Sequence, residues 1–266
     1  MRQVADLRRM IGSAKAHGGT FSTNLFLTDA ALEPAARAGT LLASESPGAV
    51  IFLSQGPLFG RLYYAAAGSD YLVAALHRLK LPQTGAFVVD LIGRRSKIAP
   101  WVSAFEEAGF SRYSTLIRLQ RLFSQRPPTT DRDHNVETAQ EQDAESIQTA
   151  LAVNFDPYAD QLPPLEEIGQ AATRGTILLI RDAGRIAALL YYDRRGITTA
   201  FRYWLVLPDY RTQGFSDMLI RRYFQDCAGC RRSVLWVHES NSRAILIDKW
   251  YGYRPDSIVD VVLIKR

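Results

Sequence analysis

Apolar residues at Val4, Leu7, Met10, Ile11 and Ala14 recur at helical spacing, and Gly18 and Gly19 end the run. A helix is therefore predicted over Val4–His17. Asp29 reads as the cap of a short helix through Arg37. The pattern then changes to β-branched and aromatic runs at Leu41–Ala43, Ala49–Leu53 and Leu58–Ala66, parted by Ser46-Pro47-Gly48 and Gln55-Gly56-Pro57. These are strands and turns. A helix capped at Ser69 or Asp70, a buried strand Ala86–Leu91, a helix Ile98–Ala108 and a strand Tyr113–Leu119 complete the first half.

The second half opens with a short strand at Asn135–Thr138, a helix Asp143–Asn154, a loop Asp156–Pro164 and a helix Leu165–Arg174. Thr176–Arg181 and Ile186–Asp193 flank Asp182-Ala183-Gly184 and read as a hairpin. A strand over Thr198–Leu207 is stopped by Pro208 and Asp209. A helix carrying Phe215, Met218, Leu219, Ile220 and Tyr223 follows and runs to about Cys227. Val234–Val237 is a strand and Ser240–Trp250 a helix; Tyr253–Lys265 is a last strand region broken near Pro255.

The halves share an order of elements. Phe105 to Phe110 precedes an apolar strand much as Asp248 to Tyr253 does, with Gly109 and Gly252 lying 143 residues apart. That spacing is about one small α/β domain. Ser124–Asp133, with Pro127-Pro128-Thr129-Thr130, reads as a linker. The predicted division is residues 1–123, a linker 124–133, and residues 134–266.

Composition narrows the class. With 266 residues and 47% hydrophobic content the chain can bury a sizeable core. Its longest apolar runs, such as Val259–Ile264, fall far short of a membrane span, and no secretory pattern opens it, so a cytoplasmic location with no membrane partner is expected. Net charge is +5, with 15 basic and 8 acidic residues up to Thr130 and 17 and 19 beyond it. The arginines are scattered without aromatic interleaving, which argues against a nucleic-acid partner. Cys227 and Cys230 form a bare Cys-x-x-Cys at a helix end, without the further ligands a zinc site needs, so no metal is expected.

The informative chemistry lies where the strand Thr198–Leu207 passes into the following helix. A glycine-tipped loop, Arg211-Thr212-Gln213-Gly214-Phe215-Ser216, leaves backbone N–H groups at a helix start, where the helix dipole adds positive potential. Such a turn suits a phosphate-bearing ligand. Val206, Pro208, Tyr210, Arg211 and Gly214 moreover stand as in the acyl-CoA loop of the GNAT superfamily of N-acetyltransferases, Val-x-Pro-x-Tyr-Arg-x-x-Gly-x-Gly/Ala, with Ser216 at the last small position. The chain resembles that family a second time downstream, at Asn241, Ala244, Ile247, Gly252 and Tyr253. The resemblance covers about residues 135–266; over 20–122 it is one of topology only.

What this resemblance implies is an α/β fold of two GNAT-like domains in tandem, each a mixed, mostly antiparallel sheet flanked by helices. The first carries Ala65-Ala66-Ala67-Gly68-Ser69-Asp70 in place of the phosphate loop and is expected to be degenerate. The implied activity is transfer of an acetyl or other acyl group from acetyl-CoA, as co-substrate, to a primary amine of a small molecule or peptide. CoA would be held by the backbone of Leu205, Val206 and Leu207, by Arg211, Thr212, Gln213, Gly214, Phe215 and Ser216, and by Asn241, with Arg221 and Arg222 as further phosphate partners. The position where many members keep a thiolate-protonating tyrosine is Asp248, which needs a strongly raised pKa to serve as an acid; Tyr251 is a substitute. Glu239, with His238 beside it at the strand end, is the expected general base. Two rival readings remain at this level: a non-catalytic acyl-CoA-binding or regulatory module, and a Fem-type transferase using aminoacyl-tRNA. The tandem architecture also resembles that of mycothiol synthase and of the Fem-type aminoacyl transferases.

Overall fold

The computed structural model describes residues 4–26, 29–82, 85–123 and 135–266. The proposed linker Ser124–Asp133 lies outside them. In the first half the elements are α1 (Val4–Ala16), β1 (Ser22–Thr23), α2 (Asp29–Arg37), β2 (Leu41–Ser46), β3 (Ala49–Gln55), β4 (Phe59–Ala66), α3 (Ser69–Arg78), β5 (Ala86–Arg94), α4 (Arg95–Glu107) and β6 (Ser111–Leu122). The second half adds β7 (Glu137–Thr138), α5 (Ala144–Asn154), α6 (Leu165–Thr173), β8 (Ile177–Asp182), β9 (Arg185–Arg195) and β10 (Thr198–Val206). It closes with α7 (Phe215–Asp226), β11 (Arg232–His238), α8 (Ser242–Trp250) and β12 (Arg254–Lys265). The architecture is mixed α/β, with helices flanking a mostly antiparallel sheet.

Two compact units form, and their boundaries differ from the linear cut expected at 124–133. The first comprises residues 1–116 together with 257–266; the second comprises 117–256. The terminal strand, read from sequence as part of the second half, thus belongs to the first unit, where Val262 pairs with Asp90 and Val259 with Gly93 of β5. Its run Val259–Ile264 alternates poorly because both faces are buried. The break expected near Pro255 is absent: β12 runs unbroken over Arg254–Lys265, and Ser257, at φ 70°, marks where the chain changes unit.

In the first unit β2, β3 and β4 are successively antiparallel. β4 and β5, joined through α3, are parallel over Phe59–Arg61 and Ala86–Val88. A part-buried ion pair joins Arg61 to Asp90, and Asp260 lies buried nearby with its carboxyl pushed well above the usual range by desolvation and by Asp90.

In the second unit β7, β8, β9 and β10 are antiparallel in turn, and β10 is parallel to β11. The alternating strands bury both faces. Ile177, Leu179, Leu189, Tyr191, Tyr203 and Leu205 pack under α5 and α6. Leu178, Leu190, Phe201, Leu235 and Val237 pack under α7 and α8. Beneath α7 the Ser233 hydroxyl joins the Tyr223 and Tyr253 hydroxyls at 2.6 and 2.7 Å. This buried chain is satisfied; removing one member would strand its partners at a cost of about 1–3 kcal/mol.

The two halves end their fourth and eighth helices alike. Gly109 and Gly252 take φ of 84° and 89°. The next residue's N–H returns to the carbonyl five positions back, Phe110 to Phe105 and Tyr253 to Asp248, each at 3.0 Å. Only glycine takes that left-handed cap without strain.

Candidate active site

β10 and β11 run side by side only from Thr198↔Arg232 to Phe201↔Leu235. Both continue, to Val206 and His238, but without pairing. A bulge between Phe201 and Tyr203 re-aims β10 at the point where they part. On its other edge β10 stays paired, with Leu205 opposite Leu189, Val206 opposite Ala188, and the Leu207 N–H on the Ala187 carbonyl at 3.0 Å. The parted strands therefore expose one edge of β10 at the carboxyl end of the sheet, the end at which open α/β sheets hold ligands.

From that edge the chain makes one 3₁₀ turn, Pro208–Tyr210, and enters α7 through Gly214, at φ 76°. The N–H groups of Thr212, Gly214, Phe215 and Ser216 donate to no backbone carbonyl among the described residues. A Cβ built on Gly214 meets nothing within 4 Å, so the glycine faces open space. Thr212 and Gln213 are exposed. The Phe215 ring stacks on Tyr210 with centroids 5.9 Å apart, leaving its amide rather than its side chain for a ligand. Open amides, the α7 dipole and a glycine tip form a cradle that fits an anion.

A groove of about 420 Å³ joins this loop to the parted strands, lined by Trp204, Val206, Arg211, Asn241, Arg243 and Asp248 among others. Of the residues expected to hold CoA, Val206 faces this groove. Leu205 and Leu207 point to the opposite face, into the α5–α6 core, and contribute backbone. Asn241 caps α8, its Oδ1 accepting the Ala244 N–H at 3.1 Å, while lining the groove. Arg221 and Arg222 are held by Asp217 and Asp226 along their own helix. Arg211 and Arg243 are the arginines that reach the groove. Nothing in the sequence marks Arg243, because its meeting with Arg211 on one groove exists only in the folded chain.

Asp248 is 5% exposed. Burial raises its carboxyl to about pH 7, and no side-chain hydrogen bond or cation offsets this among the described residues. The Trp204 indole N–H, on the same groove, is likewise buried without an acceptor. Tyr251 lies one turn away on a second cavity of about 750 Å³, with Gly214, Ser216 and Trp250. Its hydroxyl donates to Asp217 Oδ1 at 3.2 Å, and burial followed by the Asp217 charge raises its pKa. Glu239 is exposed in the turn between β11 and α8. His238, the last residue of β11, is half-buried; its Nε2 lies 3.1 Å from Asp160 Oδ1.

Cys227 and Cys230 are buried, and burial pushes the Cys227 thiol up to about 12, which suppresses thiolate chemistry there. Among the described residues no cluster of three or more His, Cys, Asp or Glu could hold a metal ion, and no helix is long and apolar enough to cross a membrane.

Comparison with solved structures places this fold among GNAT proteins. A GCN5-related N-acetyltransferase from Sphaerobacter thermophilus superposes with a TM-score of 0.58 at 14% identity, over 82% of this chain and 76% of that one. A putative GNAT-family acetyltransferase from Novosphingobium aromaticivorans gives 0.53 at 20%, over 86% and 92%. A tandem GNAT protein from the clavulanic acid biosynthesis pathway gives 0.57 at 9%, over 99% and 94%. A search of curated protein sequences gave no match. Residues 141–249, which carry the parted strands, the anion cradle and Asp248, match the Acetyltransferase (GNAT) family.

Proposed function

We propose that the second unit transfers an acetyl or other acyl group from acyl-CoA to a primary amine of a small-molecule or peptide acceptor. The observation that carries this reading is the meeting, in one groove, of an anion cradle, an unpaired strand edge and a buried carboxyl, Asp248. The amides of Thr212, Gly214, Phe215 and Ser216, with Arg211 and Arg243, suit the CoA phosphates. The open edge of β10 at Leu205–Leu207 suits the amide-bearing pantetheine arm, and Asn241 stands across from it. Acyl-CoA supplies the acyl group activated as a thioester.

Asp248 is the group placed to protonate the departing thiolate. A carboxyl at about pH 7 is half protonated at neutrality and sits close to the proton affinity a thiolate demands, the match a general acid needs. The first unit is read as a degenerate second copy of the same build. Its corresponding helix start carries Ser69 and Asp70, whose charge opposes a phosphate, and its counterpart of Asp248 is the fully buried Phe105.

The test is acyl-CoA-dependent release of free thiol in the presence of a panel of simple primary amines, with the acylated amine identified by mass. Thiol release that depends on the amine supports transfer. CoA binding with no amine-dependent release would favour the non-catalytic module instead.

A further inference from the structure

The first unit has parted strands of its own. β4 and β5 run side by side only from Phe59↔Ala86 to Arg61↔Val88, and both continue, to Ala66 and Arg94. Each stays paired on its other edge, β4 with β3 as far as Ala66↔Ala49 and β5 with β12 as far as Arg94↔Ile258. The inner edge of β4 beyond Arg61 is therefore the counterpart of the edge that β10 exposes in the second unit. Here it is covered. β1 lies antiparallel along it, with Ser22 opposite Ala66 and Thr23 opposite Ala65, and the next residue, Asn24, bridges the gap.

Asn24 is 8% exposed. Its Nδ2 donates to the Leu62 carbonyl of β4 and to the Asp90 carbonyl of β5, each at 3.1 Å. Its Oδ1 accepts the Tyr64 N–H of β4 at 2.7 Å. One carboxamide thus satisfies two backbone acceptors and one donor at the place where the strands no longer pair with each other. The residues around it fix the segment. Thr23 Oγ1 donates to the Tyr64 carbonyl at 2.6 Å and accepts the Leu25 N–H at 3.1 Å, and the Ser22 and Tyr64 hydroxyls meet at 2.9 Å. Leu25 is buried in one cluster with Leu7, Leu32 and Phe52.

We infer that the first unit is closed to acyl-CoA by its own chain, the Asn24 carboxamide standing between the parted strands where the second unit would take an amide of the pantetheine arm. The identity of that arm rests on the acyl-transfer reading above; the closure is a property of the first unit alone. An amide of the arm carries the same two groups as the Asn24 side chain, a carbonyl that accepts and an N–H that donates, and these are what an open strand edge binds. To enter the first unit the arm would have to displace Asn24, part β1 from β4 and draw Leu25 out of its cluster. The first unit is therefore shut at two separate places: at the helix start of Ser69 and Asp70, which suits no phosphate, and at the filled gap between β4 and β5.

The experiment uses the full chain, with CoA and acetamide as probes. In wild type the Asn24 Nδ2 hydrogens are followed by NMR; they should exchange slowly and stay unmoved when CoA saturates the protein at one per chain. Asn24→Gly removes a side chain the size of acetamide and leaves the Tyr64 N–H without its acceptor. The Tyr64 amide should then exchange about 10–100-fold faster. Acetamide should slow it again saturably, acetone, which has the same shape but no N–H, should not, and neither should affect wild type. Asn24 signals that shift or lose protection with CoA, two CoA per chain, a Tyr64 amide indifferent to Asn24→Gly, or equal rescue by acetone would each overturn the inference. The wild-type measurement decides alone should Asn24→Gly not fold. A wild type that binds no CoA would remove the acyl-transfer reading, and the acetamide series would still decide whether Asn24 fills an amide site.

Discussion

A carboxylate can stand in for the usual thiolate-protonating phenol only if its surroundings keep it protonated at neutral pH. Asp248 meets that condition by half, since desolvation alone raises its carboxyl to about 7. Its titration then sets the pH dependence: as pH rises through about 7 the acid is lost, so transfer should fall on the alkaline side with a limb near that value. Asp248→Asn should slow turnover by about 10²-fold or more and abolish this limb. Asp248→Tyr should recover part of the rate and move the limb upward, since a phenol holds its proton to higher pH. The pH profile of kcat for the three proteins checks this; an alkaline limb unchanged in Asp248→Asn would assign it to another group. The sequence discloses the type and spacing of Asp248, but its depth is a property of the folded helix. Glu239 shows the converse. As a carboxylate next to a strand end it reads as a base, and folding sets it in an exposed turn; the neighbouring His238 ring meets Asp160, 78 residues away.

Among the elements, periodicity and turn residues were enough for most strands and helices, including the β8–β9 hairpin and the strand-to-helix passage at Gly214. Pairing partners were not legible. Nothing local in Val259–Ile264 says that it will lie along β5, because any edge with matching apolar faces would serve. That pairing has an energetic signature. Asp260 and Asp90 lie on neighbouring strands, with the part-buried cation Arg61 already bound to Asp90. Folding raises the Asp260 pKa, so ionising it opposes folding: there is no penalty below the unfolded value near 4, and one grows as pH rises through and above it. Asp260→Asn should therefore stabilise the protein at pH 8 and make little difference near pH 4. Asp90→Ala, which takes the carboxylate from Arg61, should cost about 3–5 kcal/mol. Denaturant unfolding at the two pH values checks both, and a pH-independent effect of Asp260→Asn would contradict the buried-charge account.

At the scale of the molecule, the two compact units do not follow the linear cut that the proline-rich stretch suggests. Residues 257–266 build the first unit, and the end of β6 builds the second. A chain ending at Asp256 would lose five buried apolar side chains, Val259, Val261, Val262, Leu263 and Ile264, from the first unit. At about 1.5–3 kcal/mol for each, that is comparable to the whole stability of a typical domain, about 5–15 kcal/mol. Such a chain should show loss of the first unit by hydrogen exchange or limited proteolysis; an intact, protected first unit would show that β12 is dispensable.

The same reasoning makes the intact chain the right object for the most direct test, a calorimetric titration of CoA into wild type and Gly214→Val. The loop Arg211–Ser216 in the second unit is the proposed phosphate cradle, and Ser69 and Asp70 deny the first unit an equivalent, so one CoA should bind per chain. A Val side chain at φ 76° strains the turn and projects into the open space before the amides. Affinity should weaken by at least about 1–3 kcal/mol in a protein that remains folded. Two CoA per chain, or an unchanged affinity in folded Gly214→Val, would contradict the account.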